Sequence, residues 1–146
     1  MFGEHGDSSF VPWSIANISN VPIAACHDLI TIPGITTPKL DPEDVEQYVR
    51  KSGGRVIARK GATFYAVAMS VCHICKCIFA GAGTALTVST MMHGEYGVDD
   101  VCLSTLALVD RTGVRGKVLN RLTDHEIAQL RASADKLKEV IRQIEI

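Results

Sequence analysis

The segment from Ala62 to Ala80 constrains the fold of this chain more than any other feature, because it is apolar on almost every side. His73 and Lys76 interrupt the segment, which makes it a poor membrane span. A helix that is apolar all round is stable only when other parts of the protein cover it. The segment therefore predicts a long helix that is buried on most of its sides and ends at Gly81-Ala82-Gly83.

Three segments that follow this helix have the pattern of β-strands. Leu86–Met92 and Val101–Val109 combine alternation with apolar and β-branched residues, and the turn Gly94–Gly97 lies between them. They predict an antiparallel hairpin, and Val114–Leu119 predicts a third, shorter strand. Together with the helices, these strands indicate the α+β class.

The end of the chain predicts an amphipathic helix. Thr123 and Glu126 have the spacing of a capping box, in which each side chain accepts a hydrogen bond from the backbone of the other residue. Apolar residues then recur at spacings of three and four, which places on one face Ile127, Leu130, Ala134, Leu137, Ile141 and Ile144.

The first part of the chain is less regular. Phe10–Val21 contains a proline and a Ser/Asn cluster, and it predicts a strand or a hairpin. Residues 31–42 carry three of the five prolines and predict a loop.

A further helix is predicted after this loop. Asp41 and Pro42 have the residue types of a helix N-cap and of the first helical position. Each glycine of Gly53-Gly54 costs a helix interior about 1 kcal/mol relative to alanine. We therefore expect a break or kink there, with a helical turn resuming at Arg55–Lys60.

Length and charge exclude several classes of function. The 146 residues suit one domain, and 15 Lys and Arg against 16 Asp and Glu leave a net charge of −1. A nucleic-acid-binding domain needs a basic face, and a polybasic membrane anchor needs a cluster of cations, so neither partner is expected. With 47% apolar residues, the chain has enough hydrophobic surface to fold, which excludes disorder.

The cysteines indicate a reducing compartment. Their number is odd, and the first ten residues lack the basic and apolar regions of a signal peptide. We therefore expect the protein to be cytoplasmic and its five cysteines to be free thiols: Cys26, Cys72, Cys75, Cys77 and Cys102.

His5 is a candidate for proton transfer. It lies between Gly3 and Gly6, whose backbone can bend tightly and approach a ligand closely. Imidazole is the side chain best suited to exchange protons near neutral pH. From the spacing alone, a solvated histidine near the terminus is the more common interpretation.

The segment Cys72–Cys77 contains a C-x-x-C pair, which can bind zinc or an iron–sulfur cluster or form a redox disulfide. A second pair of ligands at matching spacing is absent from the sequence, so packing of these cysteines in the core is favoured over a metal or redox site. No metal site is predicted.

Other residues favour structural roles. Gly81-Ala82-Gly83 begins like a dinucleotide-binding motif, but it follows a helix and has Leu86 where the third glycine belongs. The chain therefore shows no nucleotide-binding element of its own. His93 lies beside a predicted turn and His125 within the capping box, and a structural role accounts for each.

Several motifs in one order resemble the C-terminal half of the L-lactate/L-2-hydroxyacid dehydrogenases: GEHGDS, VPWS, KGATFYAVAMS, VSTMMHGEYGVDDVCLS and LTDHEIAQLRASADKLKEVI. The resemblance spans nearly the whole chain. It implies that residues 1–146 form the α+β catalytic domain of a lactate/malate dehydrogenase, which normally follows a nicotinamide-binding domain. These residues include neither that domain nor the arginine that clamps the substrate carboxylate, so NAD binding is expected to need the missing domain.

The resemblance also implies roles for particular residues. His5 matches the catalytic histidine, Thr63 matches a residue beside the substrate's C3 side, and Val67 matches an apolar residue packed on the nicotinamide ring. The spacing of four places Thr63 and Val67 on one helical face. Gly53 and Gly54 stand where lactate-specific members often have two alanines, which implies a wider pocket for larger branched 2-hydroxy acids.

Two functions follow as hypotheses. The chain is the catalytic-domain portion of an NAD-dependent L-2-hydroxyacid dehydrogenase, with negligible activity alone because it offers a proton donor without a cofactor site. Alternatively, it is a non-catalytic domain that associates with itself through its exposed apolar surface, most simply as a symmetric dimer. A homo-oligomer is expected in either case.

Overall fold

A computed structural model of the chain describes residues 1–26, 33–34 and 41–144. The helices are α1 (Pro42–Lys60), α2 (Phe64–Ala80) and α3 (Asp124–Gln143). The strands are β1 (Asn17–Ile18), β2 (Val21–Pro22), β3 (Thr84–His93), β4 (Asp99–Asp110) and β5 (Gly113–Lys117). Of the loop predicted at 31–42, residues 31–32 and 35–40 lie outside the described residues.

The three predicted strands form one antiparallel sheet in the order β3-β4-β5, which confirms the hairpin. β3 and β4 extend beyond the predicted limits, because their pairing continues until it reaches the turn at each end. β5 begins and ends earlier than predicted, at Gly113 and Lys117, since Gly113 pairs directly with Asp110 across a short turn.

The core lies between this sheet and α3. Every second residue of β4 from Val101 to Val109 is buried, as expected for a strand with one covered face. Leu103 of β4 packs in one cluster with Leu130 and Ala134 of α3. The capping box is confirmed, but the predicted apolar stripe is buried only in part: Leu130 and Ala134 are buried, whereas Ile141 and Ile144 are exposed.

α1 begins and ends as predicted, but it is not broken. The Asp41 side chain accepts hydrogen bonds from the backbone of Glu43 and Asp44, and Gly61 ends the helix at a φ of 77°. The helix continues through Gly53-Gly54, so the expected break or kink is wrong. Two glycines weaken a helix without preventing it, and the 17 other residues of α1 provide enough helical hydrogen bonds to continue through them.

α2 forms where it is predicted, but the expectation that it is buried on most sides is wrong for this chain. Cys77 is its one buried residue, whereas Tyr65 is 72% and Phe79 82% exposed. The helix contacts β4 on one side, and nothing in the described part of the chain covers the other. No helix within the described ranges is both long and apolar enough to cross a membrane.

The predicted strand or hairpin at Phe10–Val21 is mostly irregular. A two-residue hairpin joins β1 and β2 through Ser19 and Asn20, which both have positive φ, as in the tight turns that favour asparagine. Ahead of it, Trp13–Ile15 forms a single 3-10 turn that follows Pro12.

Candidate functional site

His5 lies on a short loop that is fixed at its base. Phe2 and Phe10 exchange backbone hydrogen bonds of 2.8 and 3.1 Å and so close the loop between them. Gly3 exchanges two more with Ser104 of β4, at 3.0 and 2.8 Å. The first pair of bonds closes the loop and the second pair anchors it to the central strand, and His5 is exposed at its outer part.

Glu4 carries a negative charge next to His5 in the chain. Its carboxylate accepts hydrogen bonds from the hydroxyl of Ser8 at 2.5 Å and from the backbone of Ser8 at 3.1 Å. The hydroxyl bond is the main cause that lowers the pKa of Glu4, and Lys136, 3.6 Å away, adds to it. Glu4 is therefore ionised at neutral pH, and it cannot also act as a proton donor there.

Helix α1 is held against the same region by two side chains. Glu46 accepts hydrogen bonds from the indole N–H of Trp13 at 2.7 Å and from the backbone of Val11 at 3.3 Å. Arg50 donates from Nε to the carbonyl of Ser9 at 2.8 Å and forms a 2.6 Å ion pair with Glu46. This attachment places the next helical turn, which begins at Gly53, beside the His5 loop.

The loop and the helix enclose a cleft of about 320 Å³. His5 and Gly53, two of the predicted site residues, both line it. The cleft also holds charges of both signs, and its other lining residues are Met1, Glu4, Gly6, Asp7, Ser9, Val49, Arg50 and Ser104. A small polar molecule with one ionisable or carbonyl group can therefore contact His5 and Gly53 within the same cleft.

The remaining predicted site residues do not line this cleft. Gly54 is exposed on α1, one position beyond Gly53. Thr63 precedes the first turn of α2, where its side chain makes no capping hydrogen bond, and Val67 lies one turn further and is 56% exposed. Thr63 and Val67 thus share one exposed end of α2.

The described residues fit only one end of a dinucleotide. Val67 offers exposed apolar surface on which a flat ring could stack. A phosphate-binding loop between a strand and the N-terminus of a helix is absent from the described ranges, since Gly81 and Gly83 follow α2 and precede β3. Among the described residues, Val67 therefore offers a flat ring a surface to stack on, and none forms a loop that would bind phosphates.

The cysteine segment is only partly in the core. Cys77 is buried as predicted and lies 3.8 Å from the ring of His73, but Cys72 and Cys75 are exposed, so core packing is wrong for those two. They fall on the side of α2 that faces away from the sheet. Among the described residues, no three or more His, Cys, Asp or Glu side chains are grouped to bind a metal ion.

Three residues that organise the site are missing from the sequence prediction. Glu46 and Arg50 look like an ordinary exposed i,i+4 ion pair, and only the fold reveals their bonds to the His5 loop. Ser133 of α3 is fully buried, and its hydroxyl accepts a 2.8 Å hydrogen bond from the backbone of Glu4. One signal could have identified Ser133, because it is a polar residue between Leu130 and Ala134 on the buried face.

Comparisons with known proteins are consistent across the chain. Residues 1–145 match the family described as lactate/malate dehydrogenase, alpha/beta C-terminal domain. The L-lactate dehydrogenase of Thermoanaerobacterium saccharolyticum is 38% identical over 146 residues, which are 100% of this chain and 46% of that protein. The chain therefore spans about half the length of the curated relatives it matches.

Solved structures give the same fold. The minor L-lactate dehydrogenase from Enterococcus mundtii, in its ligands-bound form, superposes with a TM-score of 0.85 at 30% identity, covering 99% of this chain and 45% of that one. The malate dehydrogenase from Archaeoglobus fulgidus in complex with NADH superposes with a TM-score of 0.79 at 31% identity, covering 97% and 42%.

Proposed function

The chain belongs to the lactate/malate dehydrogenase family, as its α/β C-terminal domain, and we propose that it is the acid–base half of an NAD-dependent L-2-hydroxyacid dehydrogenase. Such an enzyme interconverts a 2-hydroxy acid and the corresponding 2-keto acid. The observation that carries the proposal is the shared cleft of His5 and Gly53, the residues assigned to the reacting carbonyl and to the substrate's side chain. The relatives named L-lactate dehydrogenase support the same reaction class.

His5 is the proton carrier in this proposal. In the direction of reduction, the protonated imidazole donates its proton to the 2-keto oxygen, and in the direction of oxidation the neutral imidazole accepts the hydroxyl proton. When bound, NAD supplies or accepts the hydride at the carbon of the same group. The four backbone bonds at the base of the loop hold the backbone of His5 in place. Because the proton donor is positioned in advance, the reaction loses less entropy in bringing it to the substrate.

The other residues shape the substrate site. The resemblance assigns Thr63 to the C3 side of the substrate and Val67 to the nicotinamide ring, and both lie at the exposed end of α2, outside the cleft lining. Gly53 and Gly54 leave space at the side-chain end, since a Cβ built on either glycine would meet no atom within 4 Å. We therefore expect 2-keto acids larger than pyruvate, such as 2-ketoisocaproate, to be accepted as well.

We expect the isolated chain to have negligible activity, because its described residues hold no phosphate-binding loop for NAD. We also place the protein in the cytoplasm as a homo-oligomer, with its five free thiols suited to a reducing compartment. A non-catalytic, self-associating domain remains the second candidate, and the exposed apolar side of α2 is the observation that favours it.

A fusion protein tests the catalytic proposal. The chain is joined to the part of the Thermoanaerobacterium saccharolyticum L-lactate dehydrogenase that precedes the matched region, and NADH oxidation is followed with pyruvate and with 2-ketoisocaproate. We expect turnover by the fusion and none by the 146-residue chain. His5→Gln should lower kcat by about 100-fold or more, the usual scale for a lost general acid, without changing NADH binding.

His125→Gln is the matched control, because His125 is an exposed histidine of α3 that does not line the cleft. NADH fluorescence shows that each fusion is folded and binds the cofactor. A fusion that binds NADH but reduces neither keto acid would contradict the proposal. Clear turnover by the purified 146-residue chain would show that activity does not need a separate nicotinamide-binding domain.

A further inference from the structure

The C-terminal helix reaches the loop that carries His5 through one buried side chain. Ser133 is fully buried, and its Oγ lies 2.8 Å from the backbone nitrogen of Glu4 and 2.9 Å from the Oγ of Ser8. These contacts join residues 129 and 125 positions apart in the sequence, and they flank His5 on both sides.

The three residues form a closed ring of hydrogen bonds. The hydroxyl of Ser8 has a single hydrogen, and the Glu4 carboxylate at 2.5 Å is the stronger acceptor for it. Ser133 then donates to the Oγ of Ser8 and accepts from the backbone N–H of Glu4. Each hydroxyl both donates and accepts a hydrogen bond. Since Glu4 and Ser8 lie on the loop and Ser133 on α3, a change in the loop's shape would break the ring.

Ser133 also lies close to the backbone of Gly3. A Cβ built on Gly3 would lie 2.7 Å from the Oγ of Ser133, and Gly3 has a φ of 91°. A side chain at residue 3 would therefore collide with Ser133, so this close approach needs glycine, and the two backbone bonds to Ser104 hold Gly3 in place. The loop is thus held between the Ser133 hydroxyl on α3 and the backbone of Ser104 on β4.

We propose that Ser133 is a positioning residue for His5, and that the ring of Ser133, Ser8 and Glu4 holds the imidazole in the cleft it shares with Gly53. The inference rests on the proposed function, in which His5 exchanges the proton. Ser133 touches neither substrate nor imidazole; it acts through the backbone on both sides of His5. A catalytic group displaced by about 1 Å loses roughly 100-fold in rate, so a fixed loop matters.

The first experiment measures loop order in the 146-residue chain by NMR. Ser133→Ala should increase the amide exchange rate of Glu4 by about 10-fold or more, because its hydrogen bond is lost, and should broaden or shift the ring signals of His5. The amide of Ser104, bonded to Gly3, should stay protected. Ser8→Ala removes the same ring from the loop side without changing the core and should have the same effect on His5.

Ser70→Ala is the matched control, since Ser70 is a helical serine of α2 whose hydroxyl bonds only the carbonyl of Ala66 in its own helix. Circular dichroism shows that each variant is folded. If Ser133→Ala and Ser8→Ala leave Glu4 exchange and the His5 signals as they are in Ser70→Ala, the positioning role is refuted.

The second experiment uses the fusion enzyme and separates the two proposals. Ser133→Ala should lower kcat by about 10-fold or more while KM stays within about 2-fold, because the proton donor is misplaced and the substrate contacts remain. A KM effect alone would overturn the positioning role. If His5→Gln leaves kcat unchanged, the proposed function fails, whereas the NMR result on loop order stands by itself.

Discussion

Glu95 shows how one carboxylate can join two elements of this fold. It accepts a 2.6 Å hydrogen bond from the backbone N–H of His93, at the end of β3. It also forms a 2.8 Å ion pair with Lys117, at the end of β5. Burial by itself would raise the pKa of Glu95, but the bonds from Lys117 and the backbone outweigh it and lower that pKa from 4.5 to about 2.

This lowered pKa predicts an acid-dependent stability. A carboxylate whose pKa is lower in the folded state stabilises the fold above its ordinary pKa of 4.5, and this stabilisation is lost as the pH falls toward about 2. Glu95→Gln should therefore lower the free energy of unfolding at pH 7 by about 1–2 kcal/mol, after allowance for partial exposure to solvent. Urea unfolding across this pH range measures it.

The difference between Glu95→Gln and the unmodified chain should shrink as the pH approaches 3. Glu139→Gln serves as the control, because Glu139 is an exposed glutamate on α3. A loss of stability in Glu95→Gln that is the same at every pH would mean that packing, and not the charge, accounts for it.

At the scale of elements, local patterns predict most of the fold. The alternation of β4 and the capping box of α3 are properties of neighbouring residues, and both are confirmed. Their exact ends follow from pairing between distant segments, as when Gly113 pairs with Asp110. The continuity of α1 through Gly53-Gly54 is likewise a balance over the whole helix, which a single weak site does not decide.

The candidate site was only partly predictable for the same reason. The family resemblance assigns His5 and Gly53 to the site, but their meeting in one cleft depends on Arg50, which bonds the carbonyl of Ser9 41 positions away. Ser133 acts across an even longer separation. The sequence pattern shows which residue types are available, and the long-range hydrogen bonds decide which of them meet.

The two glycines of α1 give a prediction at the scale of this helix. Gly53→Ala and Gly54→Ala should each raise the free energy of unfolding by about 1 kcal/mol, because alanine is the better helix former and the added methyl meets no atom within 4 Å. Thermal and urea unfolding of the 146-residue chain measure both. Either variant being less stable would contradict the open surroundings seen in the structure.

The same pair should differ in substrate preference when placed in the fusion enzyme. Gly53 lines the cleft with His5, whereas Gly54 lies one position beyond it, so the methyl group of Gly53→Ala should have the larger effect. We expect Gly53→Ala to lower kcat/KM for 2-ketoisocaproate relative to pyruvate, and Gly54→Ala to change this ratio less. Equal ratios in both variants and the unmodified fusion would argue against a side-chain pocket at Gly53.

At the scale of the whole molecule, the apolar side of α2 is the largest departure from a self-sufficient fold. Phe64 is 52%, Met69 72% and Phe79 82% exposed, on a helix whose one charged residue is Lys76. Exposed apolar surface of this extent is typical of an interface. The relatives are about twice as long as this chain, so their additional residues could cover the corresponding helix.

The 146-residue chain should therefore associate with itself, with α2 in the contact. Sedimentation velocity over a range of concentrations should show oligomers that dissociate on dilution, and Phe79→Lys should shift the equilibrium toward the monomer because a buried lysine without a partner is unfavourable. Leu119→Lys, at a residue 64% exposed in the segment after β5, is the control for added charge. A monomer at every concentration, or equal effects of the two lysines, would exclude α2 as the contact surface.

Fusion to the preceding part of a relative should remove the effect of Phe79→Lys on self-association if that part covers α2. The effect should persist if a second copy of the chain covers α2 instead.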